Sequence, residues 1–290
     1  MSAAPALDAA AAARPRTLTL AEGVALNLRA TRARAFVRVV GSMREPSWFF
    51  SDGVLPNLGM AAYVLLYRAL HAGPAFETLA VVGGILSTYW INVLWGMGAQ
   101  FYWEKQQGQL ALLVAAPCSR MSILTGMAVG GAVGTVFRSA FGVVVGVWLL
   151  HVRFHITAPG TLLGIFVLTL LALYALGMTL SSVFLLFGRE AWHISNAVQQ
   201  PVTFVSGLYF PLRTLGPIAG LLAGLVPLGM GVDALRQVLL GAAARGLMPV
   251  RTEAILLALL TVAFLVAARF ALEWMETLSK REGRLTQRWQ

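Results

Sequence analysis

The lysines and histidines are the first residues to examine for chemistry, and their spacing argues against two kinds of site. The chain holds only two lysines, Lys105 and Lys280, and neither completes the Gly-x-x-x-x-Gly-Lys-Ser/Thr loop that holds nucleotide phosphates. His151 and His155 have the i, i+4 spacing of metal ligands, but no further ligand lies near them in the sequence. We therefore expect no metal and no cofactor to be bound by this chain.

Catalysis within a membrane needs convergent nucleophiles, acids or metal ligands, and the long apolar runs of this chain lack them. They contain no aspartate pair, no His-Glu-x-x-His and no Gly-x-Ser-x-Gly motif. They also carry no acidic residue near their middle, where proton-driven and ion-driven transporters often have one. An enzyme and an ATP-independent transporter are therefore the less favoured functions.

Polar residues gather in one stretch between two apolar runs, residues 101–126. Its first half carries Glu104, Lys105, Gln106 and Gln107, and we expect them to be polar heads of a short helix at a membrane surface. Pro117 should end that helix, because proline cannot continue the hydrogen-bond ladder. Arg120 then opens the next helix.

A second polar set lies on the fifth apolar run, in a stripe at steps of three and four residues. Its members are His193, Asn196, Gln199, Gln200, Thr203 and Ser206. The stripe is interpreted either as a hydrogen-bonded seam between helices or as the wall of a path for a transported molecule. Asn92 and Arg138 on other runs are further candidates for the path, although Arg138 could equally have a structural role.

The composition indicates that membrane-spanning helices position these polar residues. The chain has 290 residues, of which 58% are hydrophobic and 12% charged, whereas a soluble domain has about 25% charged residues. The apolar runs predict an all-α polytopic membrane protein with six transmembrane helices. We place these helices at about 53–70, 78–101, 121–150, 161–187, 191–206 and 252–272.

The positions of arginine and lysine predict the orientation. Fifteen of them fall in segments that a cytoplasmic N-terminus would place inside, and five fall in segments that it would place outside. This distribution predicts that both termini are cytoplasmic. Gly126, Gly130 and Gly134 in the third span form a repeated small-xxx-small pattern, which predicts close contact with another helix.

The two ends of the chain differ from the middle. We predict a disordered cytoplasmic tail over 1–21, a transmembrane domain over 22–275 and a basic cytoplasmic tail over 276–290. The arginine-rich pattern of residues 22–50 predicts an amphipathic helix on an anionic lipid surface, with a solvated basic linker as the alternative. Because the arginines gather at the ends, the net charge of +10 indicates membrane lipids rather than nucleic acid as a partner.

Residues 207–250 are divided by prolines into pieces too short to span a membrane. We predict two short re-entrant helices there, with an outward tip near 215–217. Asp233 and Arg236 are one turn apart and could form an ion pair. The residues that define this motif are Gly207, Pro211, Pro227, Asp233 and Arg236.

Two separated motifs resemble the type-2 ABC exporter permeases, a family that includes daunorubicin-type drug exporters and permeases for lipids and cell-surface polysaccharides. The first is Glu104–Lys105 with Gly108, the leucine run, Pro117, Ser119–Arg120 and Gly126, and the second is Ser206–Gly207 with Pro211, Pro227 and Asp233–Arg236. The resemblance implies that the 101–126 loop is a coupling helix that docks on an ATPase subunit. Its candidate docking residues are Glu104, Lys105, Gly108, Pro117 and Arg120.

The resemblance also implies the partners and the cargo. ATP and magnesium would be bound by a separate ATP-binding-cassette subunit, and a second permease copy or a paralogue would complete the path. The expected location is the cytoplasmic membrane of a bacterium. The expected cargo is an amphipathic drug, a lipid or a glycolipid, with a lipid-linked polysaccharide as the alternative.

Overall fold

The computed structural model describes residues 19–44, 47, 50–100, 104, 107–108, 116–154, 156, 158–187, 190–216, 220, 223–224, 226–241, 244 and 246–281. Within these residues the fold is entirely helical and contains no strand, as the sequence predicts. Several predicted features lie outside the described residues. These are the tails at 1–18 and 282–290, Lys105, the leucine run of the first motif at 110–114 and the tip residue Pro217.

The helices are numbered in chain order. They are α1 Leu20–Arg44, α2 Leu55–Ala69, α3 Pro74–Ile91, α4 Arg120–Val144, α5 Pro159–Phe187, α6 Glu190–Val205, α7 Pro227–Leu240 and α8 Val250–Arg281. A π-helical turn precedes α2 at Phe50–Val54, and two others extend α3 through Asn92–Gly98 and α4 through Val145–Leu149. A single 3₁₀ turn, Leu212–Leu215, lies between α6 and α7.

Prolines mark several of the helix starts. Pro74, Pro159 and Pro227 each open their helix, where the missing N–H costs nothing because the first turn has no intrahelical acceptor for it. Pro201 is different because it lies inside α6, and the helix continues past it to Val205.

The core of the bundle surrounds α3, which is buried along most of its length. Its fully buried side chains include Leu86, Tyr89, Trp90 and Met97. They join a cluster with residues of α4, α5, α7 and α8. The most extensive interface between two helices joins α5 and α8.

Four helices in the described part of the chain are long and apolar enough to cross a membrane: Pro74–Gly98, Arg120–Leu149, Pro159–Ser182 and Val250–Trp274. They correspond to the predicted second, third, fourth and last spans. The predicted first and fifth spans correspond to α2 and α6, which have 15 and 16 residues. Since a helix needs about 20 residues to cross the hydrocarbon core, the count of six spans remains a prediction.

The repeated glycines of α4 face α1. A Cβ added at Gly126 would lie 2.6 Å from the carbonyl oxygen of Thr31, and one at Gly130 would lie 2.7 Å from that of Ala35. At Gly134 it would lie 3.1 Å from Ser42 Oγ. The predicted close helix contact is therefore confirmed, and its partner is the basic N-terminal helix.

Gly130→Ala is expected to destabilise the protein by about 1–3 kcal/mol, because the added methyl group would overlap the α1 backbone. Alanine otherwise favours a helix interior by about 1 kcal/mol over glycine. The control is Gly164→Ala in α5, where an added Cβ meets nothing within 4 Å. Thermal unfolding in detergent measures both variants, and equal melting temperatures would show that α1 does not pack this closely on α4.

Candidate ATPase-coupling site

Glu104 is buried, so the prediction that it is a polar head at a membrane surface is wrong. Its side chain is only 2% exposed, and its carboxylate forms an ion pair with the guanidinium of Arg34 in α1. Gln100 Nε2 donates a second hydrogen bond to Glu104 Oε1, over 3.1 Å. Burial lowers the pKa of Arg34, but a guanidinium remains protonated in proteins. The pair is therefore a charged contact that fixes Glu104, near the start of the predicted coupling stretch (residues 101–126), to α1.

A second arginine of α1 holds the end of α3. Arg38 donates to Gln100 Oε1 over 2.6 Å and to the carbonyl oxygen of Gly96 over 2.5 Å. Gln100 thus touches both Arg38 and Glu104, so one amide side chain links the two charged contacts. This network joins α1 to the residues that immediately precede the coupling stretch.

The far side of the coupling stretch is held by the same helix. The backbone N–H of Ser119 donates to Asn27 Oδ1 over 2.8 Å, and Thr31 Oγ1 donates to the carbonyl oxygen of Ser122 over 3.1 Å. Gly108 lies between the two attachments with φ +73°, in the left-handed region that favours glycine. α1 therefore holds the stretch both before and after its turn.

Together these α1 residues form a polar row along one side of the helix. The row, which we call the α1 clasp, consists of Asn27, Thr31, Arg34, Arg38 and Ser42. Steps of three and four residues place its members on one face. The rest of its surface carries exposed apolar groups such as Leu28 and Phe36. The sequence predicted that this helix lies on lipid and did not predict the clasp, although the spacing of these polar residues was visible in it.

The predicted path residues come from three parts of the bundle: the π-helical extension of α3, α4 and α6. Asn92 is buried in the core, where it accepts a hydrogen bond from Tyr174 OH of α5 over 2.9 Å. Arg138 is buried in α4. Neither lies on α6, which carries the polar stripe.

The stripe on α6 is divided between buried and exposed residues. Trp95 Nε1 of α3 donates to Gln199 Oε1 over 2.7 Å, so the Gln199 side chain forms part of a seam. Thr203 Oγ1 donates to the Gln199 carbonyl oxygen of its own helix, and Ser206 is fully buried. The remaining stripe residues are exposed: His193, Asn196 and Gln200. In this single chain the stripe is therefore part seam and part open surface.

The re-entrant motif converges on Arg236 of α7. Its guanidinium is buried and donates to four backbone carbonyl oxygens, those of Leu79, Gly207, Leu208 and Phe210. Pro211 directly precedes the 3₁₀ turn, and Gly207 has φ +59°. Arg236 therefore ties the turn after α6 to the beginning of α3.

Asp233 has different partners from those predicted. Its Oδ2 accepts the backbone N–H of Leu247 over 2.6 Å and a longer bond from Gln237 Nε2 over 3.4 Å. The same Gln237 amide donates to Glu253 Oε2 of α8 over 2.9 Å. The one-turn spacing of Asp233 and Arg236 thus does not produce the expected ion pair within the described chain, because each side chain binds other groups. Glu253 was not among the predicted site residues.

These features define a helical membrane protein with a polar turn at one end of its bundle and a hydrogen-bonded segment between α6 and its last helix. The family model for the ABC-2 type transporter matches residues 55–240. The match covers more than half of the chain, so this protein belongs to the ABC-2 type transporter family. No curated protein matches the chain.

Membership of the family establishes the class of protein. The chain is a multi-pass membrane protein and the permease component of an ABC transporter. It associates with an ATP-binding-cassette subunit, and the permease component is not itself the catalytic one. The resemblance found from the sequence is confirmed, while α1 and its clasp lie before the matched region.

Proposed function

We propose that this permease exports an amphipathic drug, lipid or glycolipid across the cytoplasmic membrane of a bacterium. Two copies, or one copy and a paralogue, would form the path, with six spans in each and both termini in the cytoplasm. The permease domain would occupy 22–275, between the two cytoplasmic tails. ATP and magnesium would be bound by the ATPase subunits.

The observation that carries this proposal is the two-sided attachment of the coupling stretch to α1. Arg34 binds Glu104 before the turn, and Asn27 binds Ser119 after it. A push on the turn by a closing ATPase dimer would move α1 with it. α1 would pass the movement to α4, because the glycine seam leaves almost no free space between the two helices.

The polar stripe supports the choice of cargo. His193, Asn196 and Gln200 are exposed on α6, and Phe204 on the same helix is also exposed. A surface of mixed polar and aromatic groups suits an amphipathic molecule. Facing the His193 and Gln200 side chains to lipid would leave their hydrogen-bonding atoms unpaired, at about 1–3 kcal/mol each. We therefore place them towards a path shared with the second copy.

Docking on the ATPase is tested by a photo-crosslinking amino acid at Gln107, which is exposed at the turn of the coupling stretch. The permease and its ATPase subunit are expressed together, and crosslinked products are identified by mass spectrometry. We expect an adduct with the ATPase, because Gln107 would lie at the contact between the two subunits.

The matched control carries the same amino acid at Arg153, which is also exposed and follows the π-helical turn at the other end of α4. No ATPase adduct is expected from this position. An adduct at position 153 and none at position 107 would place the ATPase at the wrong end of the bundle, and the coupling role would have to be abandoned.

A further inference from the structure

A cavity of about 400 Å³ lies between the start of α4 and the end of the transmembrane part of α8. One wall is the segment from Cys118 to Met121, and the other is formed by Arg269, Leu272 and Glu273. Arginines from two distant parts of the chain, Arg120 and Arg269, thus face one space. The path residues and the re-entrant motif do not line it.

The depth of the cavity indicates the source of its ligand. Arg120 is the first residue of one candidate span, and Arg269 lies five residues before Trp274, the last residue of another. Trp274 is 63% exposed and Phe270 is 65% exposed. Tryptophan is enriched where lipid headgroups meet the hydrocarbon. The cavity therefore opens at headgroup level, in the leaflet on the side of the coupling stretch.

The charge of the lining favours an anion. Among the described residues that line the cavity, two guanidinium groups accompany one carboxylate, that of Glu273, so these side chains carry a formal charge of +1. Glu273 Oε1 accepts from Arg269 Nε over 3.1 Å, but both side chains are well exposed, at 60% and 70%. An exposed ion pair contributes little to the stability of the fold. An incoming anion can therefore replace Glu273 as the partner of Arg269. The positive end of the α4 helix dipole lies at the same place.

The size of the cavity favours a headgroup over a small ion. A water molecule occupies about 30 Å³ of liquid, so the cavity has room for about a dozen waters. A lone phosphate would leave most of this space empty, whereas a phosphodiester with its glycerol would fill more of it. Arginine is also the side chain best suited to bind phosphate oxygens in a bidentate manner.

We propose that this cavity binds the phosphate headgroup of an anionic membrane lipid. Arg120 and Arg269 bind the phosphate oxygens, and Glu273 turns to accept from the headgroup hydroxyls. The lipid joins the base of α4 to α8, next to the coupling stretch. This site is separate from the proposed cargo path on α6.

The first test uses the purified full chain in nanodiscs of phosphatidylcholine, with and without a photoactivatable phosphatidylglycerol. Arg269→Gln is expected to lower labelling of the α4 and α8 peptides by about fivefold, since an arginine near an anionic lipid contributes on that order. Arg269→Lys should retain most of the labelling. The control is Arg251→Gln at the other, exposed end of α8, which should label like the unchanged protein. Equal labelling of Arg269→Gln and the unchanged protein would overturn the proposal.

The second test needs no substitution, because Cys118 lines the cavity and is the only cysteine in the chain. Phosphatidylglycerol in the nanodisc should slow alkylation of Cys118 by a water-soluble maleimide, compared with phosphatidylcholine alone. An unchanged rate would overturn the proposal. If inorganic phosphate slows alkylation as much in phosphatidylcholine alone, the cavity is a site for free anions and the lipid assignment is wrong.

Discussion

Arg236→Met is expected to abolish most of the folded protein. The guanidinium of Arg236 is the shared donor for four carbonyl oxygens, and the side chain is 2% exposed. Methionine fills similar space but donates nothing, so the carbonyl oxygens of Gly207, Leu208 and Phe210 would lose this buried donor, and α3 would lose its tie to them through Leu79. Each unsatisfied buried acceptor costs about 1–3 kcal/mol, and the sum exceeds the usual range for a single substitution.

The measurement is the monodisperse fraction in detergent and the melting temperature. Arg213→Met is the control, because Arg213 lies in the same region, is exposed and donates only to the carbonyl oxygen of Gly246 within the described chain. It should change the free energy of unfolding by no more than about 0.5 kcal/mol. A folded Arg236→Met protein with an unchanged melting temperature would show that the carbonyl groups do not depend on this arginine.

Reversing the charge of Arg34 is expected to remove most of the ATPase stimulation that the permease confers on its partner. Arg34→Glu would place two carboxylates against each other where Glu104 is almost fully buried. Breaking a buried ion pair in this way costs about 3–5 kcal/mol. The start of the coupling stretch should therefore detach from α1, with a loss of stimulated turnover on the order of tenfold or more.

The double variant Arg34→Glu with Glu104→Arg restores opposite charges at the same place and should recover part of the stimulation. Arg32→Glu is the control for charge alone, because Arg32 lies on the exposed side of α1, and little change is expected. If the double variant is no better than either single one, the two side chains do not act as a pair. If Arg34→Glu stimulates normally, α1 takes no part in coupling.

The long helices could be predicted because their apolar runs are long and nearly uninterrupted. The predicted third and fourth spans, 121–150 and 161–187, differ by only one or two residues from α4 with its π-helical extension and from α5. Proline and glycine positions helped, since Pro159 opens α5 and Gly130 lies where two helices touch. These features depend on neighbours in the sequence and can be read from it.

The partners of the charged residues could not be predicted in the same way. Nothing near Glu104 in the sequence indicates that Arg34 binds it, because that contact depends on how α1 lies against α4. The local spacing of Asp233 and Arg236 favoured an ion pair, but carbonyl oxygens brought in by the tertiary fold bind Arg236 instead. In this protein a polar row of α1 faces the bundle, the reverse of a helix in a soluble protein, and the spacing of that row does not show which helix it meets.

The α1 clasp also sets an order of events during synthesis. Asn27 and Ser119 are 92 residues apart in the chain. At roughly 5–20 residues per second, the ribosome needs roughly 5–20 s to make that interval. During this time α4, the helix on which α1 packs, has not yet been made. The chain from α2 to the start of α4 is synthesised before the clasp residues can form their hydrogen bonds. α1 is thus translated before the residues that it binds, so the coupling stretch can be held on both sides only after the start of α4 has been made.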